Sequence, residues 1–137
     1  MAVSFTEVVE SIAETQDVIS FDRRADGGAF FEVRCGKGRS QVVMAKLVEN
    51  QSEAMVHMMS EIGPADPDLY EEMLLRNLGL VYTRLALVGD ESSRHFALVY
   101  AYPIDLLEVV EFARAFGEMA FMADAIERDL YGGFDRA

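Results

Sequence analysis

A long amphipathic segment near the C-terminus constrains the fold of this chain more than any other part of its sequence. Pro103 ends the strand before it, Asp105 and Glu108 form a capping box, and Gly132-Gly133 follows its last turn. Apolar residues recur between these signals at helical spacing, namely Leu106, Val109, Val110, Ala113, Phe116, Gly117, Ala120, Ala123 and Leu130. We therefore predict a helix over residues 106–131. At about 1.5 Å per residue it is roughly 40 Å long and needs a broad apolar partner.

Segments of alternating polarity upstream of this helix predict a sheet that can serve as that partner. Short polar turns join the first three strands into an antiparallel meander, and the last two form a hairpin. The predicted strands are residues 30–35, 41–48, 55–62, 80–88 and 95–102. Residues 18–21 fit either a short strand or an extended lead-in.

Two shorter helices complete the predicted order of elements. The first begins at the capping box of Ser4 and Glu7, and the second begins at Asp66 with Pro67 in its first position. The inner face of the second helix is predicted to carry Leu69, Met73 and Leu74. The resulting order is α-β-β-β-α-β-β-α. It predicts an α+β fold in which helices cover an antiparallel sheet, as a single domain over residues 1–137.

Charge and composition limit the classes of partner. The net charge of −12 disfavours binding to nucleic acid and to anionic membrane surfaces. No apolar run is long enough to span a bilayer, and the N-terminal residues lack the features of a signal peptide. A single cysteine cannot form an internal disulfide. We therefore expect a cytoplasmic protein with no nucleic-acid or membrane partner.

Several short motifs, taken in this order, resemble a known group of proteins. The leucine–leucine–x–asparagine pattern before the second hairpin, at Leu74, Leu75 and Asn77, resembles the type III secretion chaperone-like fold. Within that fold the chain resembles the YbjN-type family, described as sensory transduction regulators. The motifs that carry this likeness are Gly38-Arg39-Ser40-Gln41, Ser60-x-Ile62-Gly63 and Ala123-Asp124-x-x-Glu127-x-x-Leu130-x-Gly132.

The resemblance implies a small α+β domain, usually dimeric, that binds other proteins and turns over no substrate. It brings no catalytic residues to transfer. The residues themselves agree, because no metalloprotease, CxxC, nucleophile-elbow or phosphate-loop motif is present. His57 and His95 lie on different predicted strands, and Cys35 fits a small buried hydrophobe better than a reactive thiol. We expect no cofactor and no metal.

The long helix contains three features that deserve separate interpretation. Asp124 and Glu127 fall within its apolar arc, where a buried carboxylate is costly unless it is paired. Three alternatives are open: the last turns of the helix run past the core into solvent, the carboxylates pair with arginines such as Arg128 at a fold or dimer contact, or they bind a metal. Met122 lies on the polar side and is a candidate for an exposed apolar contact. Gly117 is predicted to let the helix approach the sheet closely.

These observations favour a non-enzymatic protein-binding module, chaperone-like or regulatory, that acts as a homodimer. Two alternatives stay open: a dedicated type III secretion chaperone for an effector protein, and a small ligand-binding domain. The strands rich in valine and aromatic residues are expected to form the dimer contact more than the charged side of the long helix. The candidate partner or dimer contacts are Val43, Val99, Met122, Asp124 and Glu127.

Overall fold

A six-stranded antiparallel sheet with helices is the architecture that a computed structural model describes over residues 4–49 and 53–131. The α-helices of that part are α1 (Phe5–Ala13), α2 (Tyr70–Arg76) and α3 (Val109–Tyr131). Its strands are β1 (Val18–Arg23), β2 (Ala29–Gly36), β3 (Arg39–Glu49), β4 (Ala54–Pro64), β5 (Arg84–Val88) and β6 (His95–Pro103). Short 3-10 helices occupy Pro67–Leu69, Asn77–Gly79 and Ile104–Leu106. The predicted α+β class with an antiparallel sheet is confirmed.

The strands lie in the order β1-β2-β3-β4-β6-β5, and all neighbours are antiparallel. The predicted meander and the second hairpin are both present, with β6 of the hairpin joining the meander along β4. Residues 18–21, which the sequence left open, form a strand because Val18 and Phe21 pair with Val33 and Phe31 of β2. The sheet therefore has one more strand than the five that the sequence predicted.

The core lies between one face of the sheet and the helices. α3 packs across β2, β3, β4 and β6, and α1 packs against α3 and β1. Side chains that point from the sheet toward α3 include the fully buried Phe31, Val43, Val56, Met58 and Leu98. The opposite face of the sheet carries no helix of the described chain, and we call it the open face. Within residues 4–49 and 53–131 the helices are too short or too polar to cross a lipid bilayer.

The start of α3 differs from the prediction of residue 106. Ile104–Leu106 forms a 3-10 turn, and Leu107 then adopts an extended conformation and is buried. The first α-helical hydrogen bond runs from the Phe112 N–H to the Glu108 carbonyl, so Asp105 does not cap the helix. The burial of Leu107 breaks the continuous helix that the spacing predicted. The predicted stop at Gly132-Gly133 lies outside the described residues.

The buried face of α3 is also rotated from the predicted one. Val110 and Leu106 are exposed, whereas Phe112, Ala115 and Met119 are buried, together with Phe116, Ala120, Ala123, Asp124 and Ile126. Both stripes contain apolar side chains at helical spacing, since alanine and glycine occur on several sides of this helix. Contact with the aromatic rings of the sheet selects the bulkier stripe: the Phe116 ring packs edge-on against Phe31, and Phe112 against Tyr100.

The prediction that Gly117 permits a close approach to the sheet is wrong. A Cβ atom placed on Gly117 would meet nothing within 4 Å, because the rotation of α3 turns this residue away from the sheet. The close approach is at Gly63 in β4, where a Cβ atom would lie 2.6 Å from the Tyr131 ring. The Tyr131 hydroxyl donates a 2.6 Å hydrogen bond to the Pro64 carbonyl, which fixes the C-terminal end of α3 against β4.

Candidate interaction surfaces

Four large apolar side chains are exposed within eight residues of the sequence, on α2 and the segment that follows it. Their exposed fractions run from 60 % at Leu75 to 87 % at Leu78, with 68 % at Leu74 and 70 % at Val81. We call these four residues the leucine patch. The sequence placed Leu69, Met73 and Leu74 on the inner face of this helix; the structure buries Met73 there, as predicted, but leaves Leu74 exposed. Exposed apolar clusters of this kind mark surfaces that contact other molecules.

The carboxylate of Glu118 on α3 fixes the segment that carries the end of the leucine patch. It accepts backbone N–H bonds from Val81 at 2.8 Å, Tyr82 at 2.9 Å and Thr83 at 2.8 Å. The hydroxyl of Thr83 donates a fourth bond at 2.7 Å. Residues 81–83 are consequently bound to the helix rather than paired in the sheet, which is why β5 begins at Arg84 and not at the predicted residue 80.

These bonds set the ionisation of Glu118. Partial burial raises its pKa, but the hydrogen bonds donated by Val81, Thr83 and Tyr82 lower it by more, so the net pKa lies below the ordinary value of 4.5. The carboxylate is therefore ionised at neutral pH, as its role as acceptor of four hydrogen bonds requires. This is a structural use of the charge.

Two further contacts hold the other end of the leucine patch. The Asn77 side-chain oxygen accepts a 2.7 Å bond from the Leu85 N–H, which ties the end of α2 to β5. Arg76 donates to Glu72 at 3.1 Å and to Asp129 of α3 at 3.2 Å. Because both ends are anchored, the leucines are exposed on a fixed scaffold.

Met122 is partly exposed on α3, in agreement with the sequence interpretation of an exposed apolar side chain. It exposes about a third of its surface, and Phe121 beside it is similarly exposed. Both lie one helical turn beyond Glu118, the residue to which Val81 is bound. Two exposed apolar side chains of α3 thus lie one turn away from the residue that holds Val81.

The open face of the sheet forms a second apolar surface. Successive strand pairings place Phe30, Met44, Met59 and Val99 in one row across β2, β3, β4 and β6. All four side chains are half-buried, and no helix of the described chain lies over them. The Arg24 guanidinium stacks on the Phe30 ring, with its central carbon 4.1 Å from the ring centroid. A groove of about 740 Å³ follows this row, with Lys46, His57 and Arg84 also in its lining.

The two valines predicted as contacts lie on opposite faces of the sheet. Val99 lies in the central row of the open face, where it can reach a partner. Val43 has no exposed surface, because it points toward α3 and pairs with the buried Phe31. Its assignment as a contact is therefore corrected: the exposed valine of β3 is its neighbour Val42, half of whose surface is accessible.

Asp124 forms the arginine pairs that the sequence offered as one of three alternatives. It is almost fully buried and accepts 3.2 Å bonds from Arg39 and from Arg128, its predicted partner on the same helix. Glu127 is half-buried on the next turn. Asp124 therefore connects the β2–β3 hairpin to α3 inside the fold. Within the described ranges no three carboxylate, histidine or cysteine side chains lie close enough to hold a metal ion.

The remaining candidate side chains occupy separate places. His57 lies on the open face opposite Ala101, and His95 lies near the other end of the sheet opposite Pro64. The Cys35 thiol donates to the Ala120 carbonyl at 3.4 Å. Burial and the negative charge of Asp124 raise the pKa of Cys35 to about 11, so the thiol is protonated at neutral pH.

Comparison with solved structures agrees with the fold described above. The crystal structure of YbjN from E. coli, described as a proposed transcription regulator, superimposes with a TM-score of 0.53. The match covers 96 % of each chain at 10 % sequence identity. No family model and no curated protein sequence matches the chain. The fold is thus YbjN-like, in agreement with the resemblance that the motifs indicated.

Sequence reasoning missed the leucine patch, although a signal was present. Leu74 and Leu75 are adjacent, so they point to different sides of a helix, and Leu78 follows one turn later. A helix of seven residues has room for only a narrow buried stripe, which Met73 occupies. Leucines on more than one side of so short a helix therefore predict that some of them are exposed.

Proposed function

We propose that this protein is a non-enzymatic protein-binding module, chaperone-like or regulatory, that acts as a cytoplasmic homodimer. The leucine patch carries this proposal. Full burial of a leucine or valine side chain contributes about 1.5–3 kcal/mol, and this chain leaves four of them largely exposed on an anchored scaffold. A partner protein that covers the patch would recover that energy without first having to order the segment.

Three titratable side chains on α3 or in contact with it support a non-enzymatic role, because each has a structural use. Glu118 holds the segment before β5, and the Cys35 thiol is protonated against the backbone of α3. Asp124 is already paired with two arginines. None of these groups is placed beside a nucleophile or a second acid in an open cleft, which is the arrangement that acid–base catalysis needs.

The YbjN-like fold supports a regulatory or chaperone-like role, since the E. coli protein is described as a proposed transcription regulator. A dedicated type III secretion chaperone is the narrower alternative. The two roles differ in the partner: a chaperone binds a client before its export, whereas a regulator binds a resident cytoplasmic protein. Identification of the partner would therefore separate them.

The test is an affinity capture from native cell extract with two matched variants. Leu78→Lys places a charge at the most exposed position of the leucine patch. Ile19→Lys makes a comparable change on β1, at the opposite edge of the sheet from β5 and α2, where Ile19 is also exposed. We expect a protein that wild type and Ile19→Lys retain and that Leu78→Lys loses by about tenfold. Equal capture by all three variants would exclude the patch as the binding surface.

A further inference from the structure

We propose that the open face is the dimer interface, and that two copies pack face to face about a two-fold axis that runs along the row of Phe30, Met44, Met59 and Val99. This inference rests on the proposed homodimer and names its surface and its symmetry. It follows from the way in which charges are arranged on either side of that row.

The two lines of residues that flank the central row differ in charge. Arg84, which continues the row itself on β5 opposite Val99, has its guanidinium bound to the Leu80 and Thr83 carbonyls. On one side of the central row lie Glu32 and Glu61, with the exposed Val42 between them on β3. On the other side lie Lys46 and His57, which are opposite one another on β3 and β4. Glu32 accepts hydrogen bonds from two serines, whereas no described carboxylate lies within ion-pair distance of Lys46.

A rotation about the central row brings these lines together. This rotation reverses the strand direction but places each strand over the same strand of the second protomer. The acidic line of one protomer therefore lies over the basic line of the other. Lys46 then lies over Val42 of the second copy, flanked by Glu32 and Glu61 of that copy one strand away on either side, at about 4.8 Å. His57 lies over Glu61 of the second copy. Packed sheets are about 10 Å apart, a gap that a lysine and a glutamate can bridge.

The other face-to-face symmetry is electrostatically unfavourable. A two-fold axis parallel to the strands would place Glu61 over the acidic line of the second copy and Lys46 over the basic line. Like charges facing each other cost energy and select against that arrangement. The usual crossing of about 30° between packed sheets displaces the charged lines by only about 3–4 Å, less than one strand spacing. The favourable pairing therefore survives the twist of the sheets.

The apolar row and its area also suit a second copy. Five strands about 4.8 Å apart and five lines of side chains about 6.8 Å apart span a plane of roughly 19 Å by 27 Å, or about 500 Å² per protomer. The total for two copies is therefore near the roughly 1,000 Å² that a stable interface needs. Met44 and Met59 are flexible enough to fill the facing groove. A partner of one charge sign would match only one of the two lines, whereas a second copy matches both.

A charge exchange between Lys46 and Glu61 tests both the surface and the symmetry. Lys46→Glu and Glu61→Lys should each weaken the dimer about tenfold or more when studied alone, because each places like charges at both contacts between positions 46 and 61 of the dimer. Mixing the two variants should restore dimers, since each mixed pair has opposite charges at both contacts. The matched controls are Lys37→Glu and Glu91→Lys, at exposed positions in the β2–β3 and β5–β6 turns.

Light scattering coupled to gel filtration, from micromolar to about 100 µM chain, gives the mass of each variant and of the mixture. Thermal melts confirm that every variant is folded. A wild-type dimer that neither substitution weakens would overturn the open face as the interface while leaving the homodimer intact. Weakening without recovery in the mixture would overturn the symmetry. A wild-type monomer at all concentrations would exclude the homodimer itself, and the capture experiment on the leucine patch would still stand.

Discussion

Removal of the Glu118 carboxylate should loosen the segment that holds the leucine patch and destabilise the whole fold. Thr83 has no exposed surface, and Glu118 accepts both its N–H and its hydroxyl. A buried donor left without an acceptor costs about 1–3 kcal/mol, so Glu118→Ala should lose roughly 3 kcal/mol from these two donors. The Val81 and Tyr82 N–H groups lie nearer to solvent, where water replaces much of the lost bond, and add less.

Urea unfolding followed by circular dichroism measures this loss as a shift in the midpoint. Glu118→Gln should cost less than Glu118→Ala, because one amide oxygen can still accept the bonds from Thr83. Glu10→Ala, at an exposed position in α1, is the control and should change stability by no more than about 0.5 kcal/mol. A Glu118→Ala protein within that same margin would refute the view that this carboxylate holds the segment.

The pH dependence of the same variants gives an independent check. The pKa of Glu118 is lower in the folded chain than its ordinary value of 4.5, so its stabilising contribution is present above that value. The contribution is lost as the pH falls through the folded-state pKa. The difference in unfolding free energy between wild type and Glu118→Gln should therefore shrink between about pH 6 and about pH 3. A constant or growing difference would contradict the assigned role.

Three further predictions concern single positions. With a pKa of about 11, only about one thousandth of the Cys35 thiol is ionised at pH 8. It should therefore react with a disulfide reagent such as DTNB about a hundredfold more slowly in the folded chain than in urea, and equal rates would contradict its burial. Cys35→Ala should leave partner capture unchanged. Gly117→Ala should stabilise the chain by about 0.5–1 kcal/mol in urea melts, because a Cβ atom there meets nothing within 4 Å in a helix interior; a loss of stability would show that the position is crowded. Val43→Glu should unfold the chain by burying a charge, whereas Val42→Glu should stay folded, a contrast that circular dichroism decides.

The sequence was informative where local signals act alone. The Ser4–Glu7 capping box forms as predicted, with the Glu7 N–H bonded to the Ser4 hydroxyl and the Ser4 N–H to the Glu7 carboxylate. The β2–β3 turn closes at Gly38, whose positive φ of 74° suits glycine. These features depend on residues only a few positions apart, so their chemistry can be read from the sequence. The α+β class and the antiparallel order follow from the same local signals.

Contacts between distant residues decided the remaining features. The start of β5 depends on Glu118, which lies 35 positions after Thr83 in the sequence. The rotation of α3 depends on which of two apolar stripes fits the rings of Phe31 and Tyr100. A periodicity argument counts apolar residues along one element and contains no information about the shape of the surface that faces it. The errors at Gly117 and Val110 have this origin.

The uncertainty between Val42 and Val43 has a different origin and a functional meaning. In the stretch Val42-Val43-Met44-Ala45 of β3, apolar side chains point to both faces of the sheet, so alternation cannot identify the buried face. The structure buries Val43 and Ala45 under α3 and leaves Val42 and Met44 on the open face. Strands that are apolar on both faces are typical of sheets covered on both sides. Since the described chain supplies helices to only one side of β3, its sequence supports a second layer contributed by another molecule, which is the place that the proposed second copy occupies.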